Sequence, residues 1–283
     1  MAPVTRGGTE FDPAALERTE RRFFGELFDA VPPAVALAHG VARSEFGPIQ
    51  ATVTRDLPGV RTLNLLLGAE AADAAPEGFL EEAIGWAREQ EASPFVLLSP
   101  DRPDTAAAER ALPALGLEPS VAWMRFVRDA HPPRFAVSAE VEVVEVGPED
   151  TEAPFGSIAA LGFGLPAWAA SLLAPVTGLP DWRCYLAKVD GVAQACGALL
   201  LDGEVAELGI AATLEGGRRR GCQLALLRRR IEDAAAAGAR TLFVETGARV
   251  PGRPSSSYAN VLRAGFEEAY ACQGWSDARV PAS

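Results

Sequence analysis

The stretch that most constrains this chain is Val205–Ala237, VAELGIAATLEGGRRRGCQLALLRRRIEDAAAA, which reads as a strand, a loop rich in Gly and Arg, and a long helix. The strand is short and apolar apart from Glu207, and Gly209 within it marks an expected bulge or close backbone approach. In the helix, Leu224, Leu227, Ile231 and Ala234 or Ala235 recur on one face, and Arg228, Arg229, Arg230, Glu232 and Asp233 are expected on the other. Between strand and helix, Gly216, Gly217 and Gly221 let the backbone take positive φ. The unbonded amides of the first helical turn then point back toward the strand, and together with the positive end of the helix dipole they favour a phosphate or pyrophosphate. A P-loop and a dinucleotide fingerprint are both excluded, because neither GxxxxGK[ST] nor a GxGxxG after a strand occurs.

Charge supports the same location. The formal net charge is -12, which argues against broad contact with nucleic acid or an anionic membrane. Residues 210–265 nevertheless hold ten arginines against four acids, a balance of +6 that leaves -18 for the remainder. A solvated helix face accounts equally well for Arg228, Arg229 and Arg230, whereas Arg218, Arg219 and Arg220 sit at the glycine loop where an anion is expected. The length of 283 residues suits two domains or one large one. No apolar run reaches membrane-spanning length and the start MAPVTRGGTEFDP does not read as a secretory signal, so a soluble, cytoplasmic protein is expected. The four cysteines, Cys184, Cys196, Cys222 and Cys272, are spaced as neither a zinc site nor a disulfide framework, and no metal is expected.

Along the chain, residues 1–12 read as frayed, and 13–29 as a helix stopped by Val31-Pro32-Pro33. Strands are expected near 34–44, 49–55 and 60–69, then a helix near 77–91, a strand at PFVLLS, a helix near 104–115 and a strand at VAWMRFVRD. His131-Pro132-Pro133 breaks the chain, giving domains 1–131 and 135–283. The second contains a strand near 139–146, a helix near 149–162 and an apolar stretch from Trp168 to Pro180. Three strands follow, joined by the hairpin signals Asp190-Gly191 and Asp202-Gly203. The long helix, the strand TLFVETG, a helix near 255–264 and tail strands complete it.

The run Arg218-Arg219-Arg220-Gly221-Cys222-Gln223 resembles the acyl-CoA signature [QR]xxGx[GA] of the GCN5-related N-acetyltransferases, matching at Arg218 and Gly221 and departing at Gln223, where the family usually has Gly or Ala. The order of elements over roughly 135–276 resembles that fold too. Asp202–Thr213 is similar to its fourth strand, and Ser257-Tyr258-Ala259-Asn260 with Arg263-Ala264-Gly265-Phe266 to its last helix and Gly-Phe turn. The first half resembles the family in outline, with Leu115-Gly116-Leu117 where Ala264-Gly265-Phe266 stands later, but without a Gly and Arg loop. The resemblance implies an α/β (α+β) protein of two GNAT-like domains, each a mixed, mostly antiparallel sheet flanked by helices, the first degenerate and the second binding acyl-CoA.

It also implies the chemistry: transfer of an acetyl group from acetyl-CoA to a small-molecule amine. By position, the amides of Ile210, Ala211 and Ala212 would hold the pantetheine arm and thioester carbonyl. The loop Arg218, Arg219, Arg220, Gly221, Cys222 and Gln223 would hold the pyrophosphate, and Asn260 the pantetheine or the chain turn. Glu207 is the expected base, since alternation puts it on the face of Gly209 and Ala211, and a carboxylate among apolar strand residues needs a partner or a role. A solvated sheet face is its plain alternative. The family's acid is often a tyrosine at the position of Val261, which leaves Tyr258, one turn earlier, as the nearest candidate; Tyr185 and Tyr270 are alternatives. Ser255, Ser256 and Ser257 read as helix capping, and Cys222 as packing under the loop. Two further readings stand beside this one: a non-catalytic acyl-CoA-binding regulator, and an enzyme of this fold that uses aminoacyl-tRNA or decarboxylates a malonyl thioester. Among partners, no membrane is expected, nucleic acid is disfavoured with tRNA left open, and a homodimer is admitted.

Overall fold

The computed structural model describes residues 4–6, 8–71, 78–147, 154–250, 252 and 255–277. In chain order the elements are β1 (Val4–Arg6), β2 (Thr9–Phe11), α1 (Pro13–Asp29), α2 (Pro33–His39), β3 (Val41–Phe46), β4 (Ile49–Thr54), β5 (Leu65–Leu67), α3 (Phe79–Glu89), β6 (Phe95–Leu98), α4 (Thr105–Ala111) and β7 (Leu117–Asp129). They continue as β8 (Val141–Val146), α5 (Phe155–Gly162), α6 (Ala170–Leu173), β9 (Trp182–Val189), β10 (Val192–Asp202), β11 (Val205–Thr213), α7 (Cys222–Ala236), β12 (Thr241–Gly247), α8 (Ser256–Arg263) and β13 (Glu267–Asp277). The expected helix near 149–162 is seen from Phe155; residues 149–153 lie outside the described residues.

The chain forms two compact units, Met1–Ala30 with Arg125–Ala269, and Val31–Met124 with Tyr270–Ser283. The first 30 residues thus group with the second half of the chain. The reason is packing: Leu16, Phe23, Phe24, Leu27 and Phe28 of α1 are all buried, and the Phe23 ring tilts against Trp182 at 4.6 Å. Arg22 adds ion pairs to Asp181 at 2.7 Å and Asp202 at 3.0 Å. Within the stretch 1–12, expected to fray, Val4–Arg6 and Thr9–Phe11 instead pair as β1 and β2, and Phe11 is buried.

The first unit is built on strands in the order β7, β12, β11, β10, β9, β8. The pairs β8–β9, β9–β10 and β10–β11 are antiparallel. Both Asp-Gly signals become hairpin turns, with Asp190, Gly191 and Gly203 at positive φ. By contrast β11 and β12 are parallel, joined by α7, and their pairing runs only from Val205↔Thr241 to Glu207↔Phe243. Beyond Glu207 the two strands part.

The second unit repeats the device in brief. Its β3, β4 and β5 are antiparallel neighbours, β5 and β6 are parallel with α3 between them, and β13 joins antiparallel to β6. Two expectations there are corrected. Residues 34–39, expected as strand, form α2, because Pro32-Pro33 pre-sets the first helical turn and Gly40 at φ 61° stops it. The run near 60–69 yields only the three-residue β5, since Asn64 turns aside to accept from Thr54 N at 2.9 Å and donate to Leu57 O at 2.8 Å. Among the described residues no helix is long and apolar enough to cross a membrane.

Gly209 is where α1 meets the sheet: a Cβ there would lie 2.3 Å from Phe23 Cζ. Gly209→Ala is therefore expected to lower stability by roughly 1–3 kcal/mol through overpacking, and to do so far less in a Phe23→Ala background. Denaturant titration of the four proteins checks this, and an equal loss in both backgrounds contradicts it.

Candidate active site in the first unit

Three local features shape the site. The first is a bulge in β11. Gly209 pairs with Ala198 and Ala212 with Cys196, so Ile210 and Ala211 together oppose Gly197 alone, and Ile210 takes φ 42°. The extra residue keeps Ala212 on the face of Gly209, a face that strict alternation would have it leave. There Gly162 of α5 closes on Ala212, where an added Cβ would stand 2.6 Å from the Ala212 Cβ.

The bulge is held from the opposite face by Arg230. Grouped in the sequence with Arg228 and Arg229, for which a solvated face is one of two equal readings, it is 1% exposed, and donates to Ala198 O at 3.1 Å, Gly209 O at 3.3 Å and Leu226 O at 3.2 Å. Gly197 leaves room for the guanidinium, which would be 3.0 Å from a Cβ there. Burial without a carboxylate partner in this hydrogen-bond set lowers its pKa to about 10. Arg228 and Arg229 do lie partly exposed, the former donating to Phe135 O and the latter paired with Asp233 at 2.7 Å.

The second feature is the start of α7. Gly221 caps it at φ 91°, no side chain caps it, and Arg219 precedes it at φ 61°. Arg218 and Arg220 use their own amides in turns, to Glu215 O and Gly217 O, which leaves the uncapped first turn of α7 as the anion donor. A cleft of about 600 Å³ lies over it, reaching from Thr213 at the end of β11 past Arg218, Arg219 and Gly221 to Asn260 and Arg263 of α8. Arg220 faces away to Asp190 at 3.1 Å. Cys222 is buried and packs beneath the loop, its Sγ 3.2 Å from where a Gly217 Cβ would be, and burial raises its thiol pKa. Gln223 and Asn260 meet: Asn260 Nδ2 donates to Gln223 Oε1 at 2.8 Å, and Gln223 Nε2 donates to Ser257 Oγ at 3.1 Å. The polar residue at the motif's departure thus ties α7 to α8.

The third feature is Glu207, the last β11 residue still paired with β12 and hence at the apex where the strands part. It is 5% exposed, and its Oε2 has no hydrogen-bond partner. Burial, then the charge of Glu245, raises its pKa well above the usual carboxylate range, while Arg125 opposes the shift. This buried setting removes the solvated-face alternative. Tyr258 stands differently: its hydroxyl donates to Glu268 at 2.5 Å, and its ring is held between Phe126 and the Arg249 guanidinium. Burial and that bond push its pKa up to about 12. The structure therefore gathers residues 218, 219, 221–223 and Asn260 around one cleft and places Tyr258 in a separate bonded cluster.

Two groups escaped the reading of the sequence. Arg263 lines the cleft one turn beyond Asn260, a spacing that would have flagged it. Glu20, Arg125 and Glu245 surround Glu207 from sequence positions too distant for any local pattern to connect.

Solved structures share this architecture. A GCN5-related N-acetyltransferase from Kribbella flavida matches with a TM-score of 0.61 at 18% identity, over 92% of this chain and 96% of its own. The chain has the GCN5-related N-acetyltransferase fold. A tandem GNAT protein from the clavulanic acid biosynthesis pathway matches at TM-score 0.57 and 15% identity over 97% of each chain, so the likeness takes in both units. An acetyltransferase of the GNAT family from Colwellia psychrerythraea matches at 0.53 and 14%, over 97% of this chain and 98% of that one. No family model matches the chain, and no curated protein matches it significantly by sequence. The GNAT fold is thus seen in the coordinates where sequence likeness is low.

The buried Glu207 has a consequence for stability. A carboxyl whose folded pKa is raised contributes fully below its unfolded pKa of about 4.3 and loses that contribution as pH rises through the folded value. Glu207→Gln, which does not ionise, is expected to match the parent near pH 4 and to melt progressively higher than it as pH is raised toward 9. Thermal unfolding across that range decides, and a constant difference between the two proteins contradicts it.

Proposed function

We propose that the chain is an N-acyltransferase that moves an acetyl group from acetyl-CoA directly to the amine of a small molecule. The observation that carries this reading is the parting of β11 from β12 at Glu207, in the same unit as an uncapped, arginine-flanked helix start. The pyrophosphate belongs on the first turn of α7, with Arg218, Arg219 and Arg263 supplying positive charge. The pantetheine arm would then run along the edge of β11 that β12 has left, where the resemblance puts the amides of Ile210 and Ala211 as donors to the thioester oxygen as it becomes an oxyanion, while the Ala212 amide is turned toward Cys196.

Glu207 takes a proton from the acceptor ammonium, the neutral amine attacks the thioester carbon, and the tetrahedral intermediate collapses with cleavage of the C–S bond. The thiolate then takes up the proton that the attacking nitrogen loses, and Glu207 releases the one it took to solvent. A base with a raised pKa is suited to this work, because proton transfer is most effective when the base titrates near the working pH. Tyr258 would have to release Glu268 to serve as the acid, so its bonded position favours anchoring α8. In this reading the second unit is a GNAT-like copy whose β5–α3–β6 crossover lacks the anion loop, and it acts as scaffold.

Gly221→Val, which places a side chain at φ 91°, is expected to weaken acetyl-CoA binding about 100-fold or more, with near-ultraviolet circular dichroism unchanged. Unaltered calorimetric affinity contradicts the assignment of the loop. Glu207→Gln is expected to bind acetyl-CoA normally and to lose roughly 100-fold or more in turnover with any amine the parent acetylates; an unchanged rate contradicts the role of Glu207.

A further inference from the structure

Glu207 belongs to a buried group of four ionisable side chains drawn from four elements. It pairs across to Phe243, so Glu245, two residues further along β12, shares its face of the sheet. The next strand beyond β12 is β7, which brings Arg125. Helix α1 roofs the same face, with Phe23 over Gly209 and Glu20 one turn earlier.

Arg125 donates through Nη2 to Glu20 and through Nε to Glu245. Arg125 and Glu20 are each 1% exposed. Burial first, and then the nearby carboxylates of Glu245 and Glu207, raise the Glu20 pKa, while Arg125 opposes the shift. One oxygen on Glu20 and one on Glu207 have no partner. The Arg125 guanidinium therefore bridges Glu20 and Glu245 on the sheet face that Glu207 shares. In such a setting the location of that cation governs how readily any one carboxylate ionises.

We propose that Arg125, clamped by Glu20 of the N-terminal helix and by Glu245, is a positioning residue that sets the pH at which Glu207 can accept a proton. The inference rests on reading Glu207 as the base. It makes α1 part of the catalytic unit, although 187 positions of sequence separate Glu20 from Glu207. The groups that face Glu207 are Glu20 from α1, Arg125 from β7 and Glu245 from β12. Of these only Arg125 favours its ionised form.

The test uses the full chain with carboxyl-labelled glutamate, titrated by ¹³C NMR, with the Glu207 signal assigned from Glu207→Gln. Arg125→Gln removes the cation and is expected to move the Glu207 titration up by about one pH unit or more. Arg125→Lys keeps the charge and is expected to leave it within about half that shift. A merely structural role would destabilise both variants and move neither titration. Should Arg125→Gln fail to fold, Glu207→Gln, which removes one of the acidic neighbours of Glu20, supplies the reciprocal reading: the Glu20 signal moves to lower pH in that variant. Unchanged titration of Glu20 there, or of Glu207 in folded Arg125→Gln, overturns the proposal. Calorimetry with acetyl-CoA on the same samples reports separately on the proposed function, so its failure is not confused with failure of this coupling.

Discussion

Everything at the proposed site depends on one buried cation holding one irregularity. Arg230 reaches from α7 through the space left by Gly197 and bonds the carbonyls of Ala198 and Gly209, the groups that flank the bulge at Ile210. A guanidinium so placed gives up its hydration, and it is tolerated because main-chain oxygens replace the lost water. In return the bulge is fixed from beneath, and α7 is locked to the strand that precedes it. The start of that helix, and any anion on it, thereby acquires a fixed position relative to the strand edge.

The bulge and the parting of the strands act together. A parallel pair that stayed zipped past Glu207 would satisfy the β11 edge with β12, leaving no amides for a ligand. Parting exposes that edge, and the bulge keeps Gly209 and Ala212 on the face covered by α1 and α5. Glu207, at the apex, is consequently buried with one carboxylate oxygen unpartnered. Within the neighbouring Glu20–Arg125–Glu245 cluster only the Arg125 cation favours the ionised Glu207, offsetting part of the repulsion from the other acids.

Much of this was legible in the order of residues. Asp190-Gly191 and Asp202-Gly203 announced their hairpins because positive φ at tight turns narrows the choice of residue. Gly221 announced the helix start for the same reason, whereas Gly216 and Gly217 do not take positive φ: they lie in a 3-10 turn where a Cβ would stand 2.7 and 2.8 Å from Gln194. Glu207 stood out as an acid in an apolar strand. What stayed hidden was whatever depends on partners distant in sequence. Arg230 could be read as solvated because helical periodicity reports a face and cannot see a glycine on another strand that opens a hole for it. α1 read as a helix from its apolar spacing, yet nothing local said that it would pack on β11. Pro32-Pro33 was read as a stop when it also starts α2, a proline's fixed φ serving both purposes.

The central claim is that an acyl-CoA occupies the opened edge of β11 and the start of α7. Amide hydrogen exchange of the intact chain, with and without saturating acetyl-CoA, tests it most directly, since it reads the backbone groups themselves. The account expects slowed exchange confined largely to 208–213 and 219–224, with little change in β3 to β6. Protection centred on the second unit, or no protection at all, would contradict it.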